Sequence, residues 1–93
     1  MQTAELVIRN PTGLHARPAS TFVKTASGFR SQITLENVTR GTKPANAKSI
    51  LTVLASGVSK GHTVRLSAEG EDEQAAIEAL RELVESGIGE PLE

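Results

Sequence analysis

The stretch Gly13-Leu14-His15-Ala16-Arg17-Pro18-Ala19 places an imidazole two residues before a guanidinium. The apolar spacing that follows, through Ala19, Phe22, Val23 and Ala26, is helical, so His15 falls at or just before a helix start. A helix N-terminus presents unpaired backbone N–H groups and about half a positive charge, which suits a dianionic phosphoryl group held on His15. The backbone at His15 and Ala16 would supply donors, and Arg17 would add charge-assisted hydrogen bonds. Only a neutral imidazole offers the lone pair that attack requires. Gly13 permits turn angles that a Cβ forbids, and Pro18 lies in the first helical turn, where a missing N–H is tolerated.

What does not accompany this stretch matters as much. It has no neighbouring carboxylate base, no Ser or Cys nucleophile, no glycine-rich nucleotide loop and no metal-ligand set. Such a constellation can hold a phosphoryl group but cannot process a small substrate, and no cofactor is expected. His62, between Gly61 and Thr63, reads as a solvated turn histidine without function, and Lys24 and Lys48 read as solvated.

The elements that must position His15 follow from periodicity. Residues 4–9 alternate as a strand with Leu6 and Ile8 inward, and Asn10-Pro11-Thr12-Gly13 stops it. A helix runs from Ala16 to a terminating Gly28. Residues 32–36 alternate again, and the turn-rich 37–44 leads to a short edge strand around 41–45. Ser49 caps a short helix through Ile50, Leu51, Val53 and Leu54 to Gly57, a cap that contributes about 0.5–2 kcal/mol. Val64, Leu66 and Ala68 mark a fourth strand. Gly70-Glu71-Asp72-Glu73 puts acidic side chains into the first turn of a last helix, whose buried stripe is Ile77, Leu80, Leu83 and Val84. The order β-α-β-β-α-β-α, with each strand apolar on one face only, predicts an α+β fold: an antiparallel sheet, helices on one side and solvent on the other. Residues 87–93 read as a flexible tail, the last two as an appended remnant.

Composition narrows the function classes. A chain of 93 residues with 38% hydrophobic content supports one domain, here 1–93. Without cysteine it lacks thiolate chemistry and suits a reducing cytoplasm. No apolar run approaches the roughly 20 residues that span a bilayer, so no membrane insertion is expected. A net charge of −1, with Phe22 and Phe29 as the aromatics, offers neither a phosphate-tracking stripe nor a base-stacking platform, which argues against nucleic acid.

The stretch from Gly13 to Ala19 resembles the active-site signature of HPr, the histidine-containing phosphocarrier of the bacterial phosphotransferase system. Ala47-Lys48-Ser49-Ile50-Leu51 resembles that family's regulatory serine segment, and Ala68-Glu69-Gly70-Glu71-Asp72-Glu73 is similar as well, so that the likeness covers residues 3–89. The resemblance implies an open-faced β-sandwich, a four-stranded antiparallel sheet under three helices. It implies that enzyme I, phosphorylated from phosphoenolpyruvate, donates to Nδ1 of His15, that Arg17 partners the phosphate, and that a sugar-specific IIA domain receives the group. It further implies a docking face of Ser20, Lys24, Ile50, Leu51 and Leu54, an HPr kinase/phosphorylase acting at Ser49 in hosts that have one, and a monomer. The alternative is a regulatory binding module that works through Ser49 without passing phosphate onward. Two departures stand out. The segment from Asn37 to Asn46 is longer than in most free-standing members, and its part Gly41-Thr42-Lys43-Pro44-Ala45-Asn46 resembles the HPr domain of fructose-type multiphosphoryl transfer proteins, while Ser56 stands where many members have leucine.

Overall fold

The computed structural model describes residues 1–91. Its elements are β1 (Gln2–Val7), α1 (Ala16–Ser27), β2 (Gln32–Asn37), β3 (Ala45–Asn46), α2 (Ile50–Ala55), β4 (Thr63–Glu69) and α3 (Glu73–Glu85). The strands form one antiparallel sheet in the order β1-β4-β2-β3. The α+β class and the element order agree with the reading from periodicity.

Register explains which face is buried. Leu6 lies opposite Val64, Ala4 opposite Leu66, and Leu66 in turn opposite Leu35, so the apolar alternation of three strands meets on one side. All of these are buried, together with Phe22 and Ala26 of α1 and Ile77, Leu80 and Val84 of α3. A one-residue slip would turn the whole set outward, which is why the pairing is strongly specified. On the other face Arg65 joins Glu5 at 2.7 Å and Glu36 at 3.5 Å across three strands. These exposed pairs contribute little to stability and keep that face wet.

Several boundaries differ from the sequence reading. The edge strand is Ala45–Asn46 rather than 41–45. Asn37 closes the preceding turn by accepting from the Arg40 amide at Oδ1, while the Thr42 amide donates to the Asn37 carbonyl. Pro44 then has no N–H to give a ladder, so pairing begins only after it. Gly28 does end α1, as its C-cap at φ −75. Of the acidic run, Glu73 alone stands in the first turn of α3. Asp72 instead reaches back, accepting from the amides of Arg30 at 2.8 Å and Ser31 at 2.9 Å and from the Ser31 hydroxyl.

The expected flexible tail is also corrected over residues 87–90. Gly87, at φ 94, donates to Val84, and the Ile88 amide donates to Leu83 at 3.0 Å. This is a Schellman closure of α3, with an apolar residue just beyond the glycine covering the helix end. Ile88 is 2% exposed. Residues 92–93, read above as a remnant, lie outside the described residues.

Candidate functional site

The strand–turn–helix passage from β1 to α1 is fastened at both ends. Ile8 is tied to the entrance of β4, its amide donating to the His62 carbonyl and its carbonyl accepting from the Gly61 amide at 2.7 Å. The Gly13 amide donates to the Asn10 carbonyl, and the Leu14 amide to the Val58 carbonyl. Gly13 has φ 69, and a Cβ there would lie 2.6 Å from the Val58 oxygen, so this position needs glycine for both its angle and its close approach. Leu14 is fully buried beneath the loop, as is Asn10. The Asn10 side chain donates from Nδ2 both to the Gly13 carbonyl and to the Glu90 carboxylate, each at 2.9 Å.

With the loop anchored, His15 is the N-cap of α1 by position, yet its side chain caps nothing. The half-buried imidazole has no hydrogen-bond partner among the described residues, so both ring nitrogens are available. The Ala19 amide donates to the His15 carbonyl. Pro18 has no N–H, and the amides of Ala16 and Arg17 have no acceptor among the described residues. These free donors stand beside the imidazole at the positive end of a helix, the arrangement that binds an anion. Arg17 is exposed and forms no ion pair among the described residues, so its guanidinium is also unspent.

Ala16 itself has φ 50, a left-handed angle that a non-glycine residue adopts at a cost of roughly 1–3 kcal/mol. Nothing in the sequence announced this. It arises because the chain must turn from the extended His15, φ −131 and ψ 163, into α1 while Leu14 stays buried.

The remaining residues singled out from the sequence fall on the α1 and α2 surface. Ser20 and Lys24 are exposed and share the helix face of Arg17, at spacings of three and four. On α2, which packs against α1, Val53 is buried while Ile50, Leu51 and Leu54 are exposed, Leu51 to 75%. Three large apolar side chains turned outward from one short helix form a patch that stability alone does not require. The Ser49 side chain accepts from the Thr52 amide at 3.4 Å, the N-cap expected of it. Ser56 is buried, its hydroxyl donating to the Val53 carbonyl.

Two residues read as solvated are engaged instead. Lys48 Nζ donates to the Phe29 carbonyl at 2.6 Å, tying the entrance of α2 to the end of α1. His62 Nδ1 accepts from the Ser59 amide at 3.1 Å and meets Asn37 Nδ2 at 3.2 Å, so this ring organises the α2–β4 connection. Sequence reasoning also missed Asn10 and Glu90. The Glu90 carboxylate accepts from Asn10 Nδ2, the Thr12 amide and the Thr12 hydroxyl, contacts that hold it below the usual carboxylate range, the Thr12 side chain foremost. Gly87-Ile88, a glycine followed by an apolar residue at a helix end, was the available signal that the chain turns back. Among the described residues no cluster of His, Cys, Asp or Glu fits a metal ion, and no helix is long and apolar enough to cross a membrane.

This geometry has counterparts among known proteins. The family model for the PTS HPr component phosphorylation site matches residues 2–86. The multiphosphoryl transfer protein of Salmonella typhimurium is 46% identical over 88 residues, 95% of this chain and 23% of that protein. The chain thus spans less than a quarter of the length of the curated relatives it matches. The crystal structure of HPr-C-His from Thermoanaerobacter tengcongensis superposes with a TM-score of 0.92 at 53% identity, covering 99% of this chain and 100% of that one. The phosphocarrier protein HPr from Bacillus anthracis superposes with a TM-score of 0.83 at 34% identity, covering 89% and 95%.

Proposed function

This chain belongs to the HPr family of the phosphotransferase system, and we propose that it accepts a phosphoryl group from phosphorylated enzyme I on Nδ1 of His15 and passes it to a sugar-specific IIA domain. The observation that carries the reading is the His15 imidazole, without a hydrogen-bond partner among the described residues, next to the amides of Ala16 and Arg17, which also lack acceptors among them, and two residues before the Arg17 guanidinium, which forms no ion pair among them. In the transfer, the Nδ1 lone pair attacks phosphorus in line while the bond from phosphorus to the donor breaks and its electron pair returns to the donor. The two amides and Arg17 stabilise the charge spread over the equatorial oxygens, and onward transfer runs the same step in reverse toward the next acceptor.

The exposed Ile50, Leu51 and Leu54, with Ser20 and Lys24 on the neighbouring helix, form the docking face in this reading. Ser49 would add regulation to the carrier. A phosphate there would set negative charge beside Ile50 and Leu51 and oppose acidic partners. The likeness of the long segment before β3 to fructose-type multiphosphoryl transfer proteins favours a fructose-type system.

The test is direct. Incubation with enzyme I and phosphoenolpyruvate should add one phosphoryl mass that is acid-labile and base-stable, as a P–N bond is, and a cognate IIA domain should remove it. The variant His15→Ala should stay folded and take none. Labelling of that variant would sink the assignment.

A further inference from the structure

We propose that Glu90 is a positioning residue for phosphoryl transfer, its carboxylate clamping the 10–13 turn so that His15 and the adjacent amides are held ready. The inference rests on the reading of His15 as the acceptor. Glu90 takes Asn10 Nδ2 at 2.9 Å and the Thr12 amide at 3.0 Å on one oxygen, and the Thr12 hydroxyl at 2.6 Å on the other. Asn10 spends its second N–H on the Gly13 carbonyl at 2.9 Å. The carboxylate is therefore two hydrogen bonds from the peptide that joins Gly13 to Leu14, the residue before His15.

Two destabilising features meet at this clamp, and the first is one that anchoring of a chain end would not require. Asn10 is fully buried, and its Oδ1 has no hydrogen-bond partner among the described residues. The amide is held this way because both its N–H bonds face acceptors, one of them supplied by Glu90; a flipped amide would set oxygen against oxygen at both contacts. Ile88, β-branched and buried, has φ 52, an angle such residues rarely adopt. The Schellman closure and the buried Ile88 side chain would already hold the chain end without aiming a carboxylate at the loop. Local strain that persists beside a reactive group marks an arrangement the surroundings over-determine. Glu90 also shares a shallow groove with Arg17 and Thr21, yet forms no ion pair with Arg17, which leaves the guanidinium free for phosphate.

The experiment uses the full 93-residue chain with Glu90→Gln, Glu90→Ala and the near-isosteric Thr12→Val. Single-turnover phosphorylation by phosphorylated enzyme I is followed over a range of carrier concentrations, with hydrogen exchange of the Thr12 amide alongside. The rate at saturation should fall by about tenfold in Glu90→Ala and by less in Glu90→Gln and Thr12→Val, as misplacement of a reacting group implies. The half-saturating concentration should change less than about twofold, because the docking helix is untouched, and Thr12 protection should drop in both Glu90 variants. A saturating rate in Glu90→Ala equal to wild type, or a loss confined to half-saturation, overturns the positioning role. If Glu90→Ala does not fold, the same criteria apply to Glu90→Gln and Thr12→Val. A wild-type chain that takes no phosphate overturns the carrier reading and this role with it, whereas a competent wild type with indifferent variants overturns this role alone.

Discussion

The amide of Leu14 donates to the carbonyl of Val58 at 3.0 Å, fastening the loop that bears His15 to the segment that follows α2. The contact is possible only because Gly13, one residue earlier, lets the two backbones close together. It couples the proposed phosphoryl-accepting loop to the segment that follows α2, the proposed docking helix.

Gly13→Ala should therefore lower stability by at least about 2 kcal/mol, combining a left-handed angle with a Cβ clash against the Val58 oxygen. Gly28→Ala is the control. At φ −75, with the nearest atom 3.4 Å from a new Cβ, it should be neutral or stabilise by about 0.4–1 kcal/mol. Urea denaturation of the two variants checks both, and equal effects would refute the argument.

Arg17→Ala should slow transfer from enzyme I by about 10²–10³-fold, since the proposed mechanism has the guanidinium stabilise charge that moves in the transition state. Its stability should stay within about 0.5 kcal/mol of wild type, because the side chain is exposed and has no partner among the described residues. Rapid-quench kinetics beside thermal unfolding separates the two effects. Unchanged rates would show that the amides of Ala16 and Arg17 suffice.

With the proposed docking face, Leu51→Glu should weaken transfer both from enzyme I and to a IIA domain, since in that proposal both partners reach the same His15 and an acidic side chain would oppose partner surfaces expected to be acidic. Leu51 is 75% exposed, so the unfolding midpoint should hardly move. Normal transfer by the folded variant would move the docking face to α1 around Ser20 and Lys24.

Asp72 makes acid stability testable. Its bonds from the Ser31 hydroxyl and the Arg30 amide pull its pKa down to about 2. A carboxylate held below its unfolded value, about 3.9, contributes stability that is fully present above that value and is lost as pH falls through the folded one. Wild type should exceed Asp72→Asn in urea midpoint at pH 6, and the gap should close as pH falls from about 4 to about 2. A gap independent of pH would show that Asp72 acts by shape alone.

The order of elements, the buried faces and the histidine motif are legible in the chain before it folds, because each is written in local periodicity and turn chemistry. Leu6, Val64 and Leu35 announce their face by alternation, Ser49 its cap by position, and Gly13 its turn. The partners of polar side chains emerge only on folding. Asp72 looked like a helix-terminal acid until folding brought it to Arg30 and Ser31, 42 and 41 positions away. His62 and Lys48 looked solvated until Asn37 and Phe29 were placed against them. Glu90 meets Asn10 across 80 positions. Apolar burial follows a period that any stretch of chain displays, whereas a hydrogen bond depends on distance and angle between two particular groups, and only the assembled fold sets those.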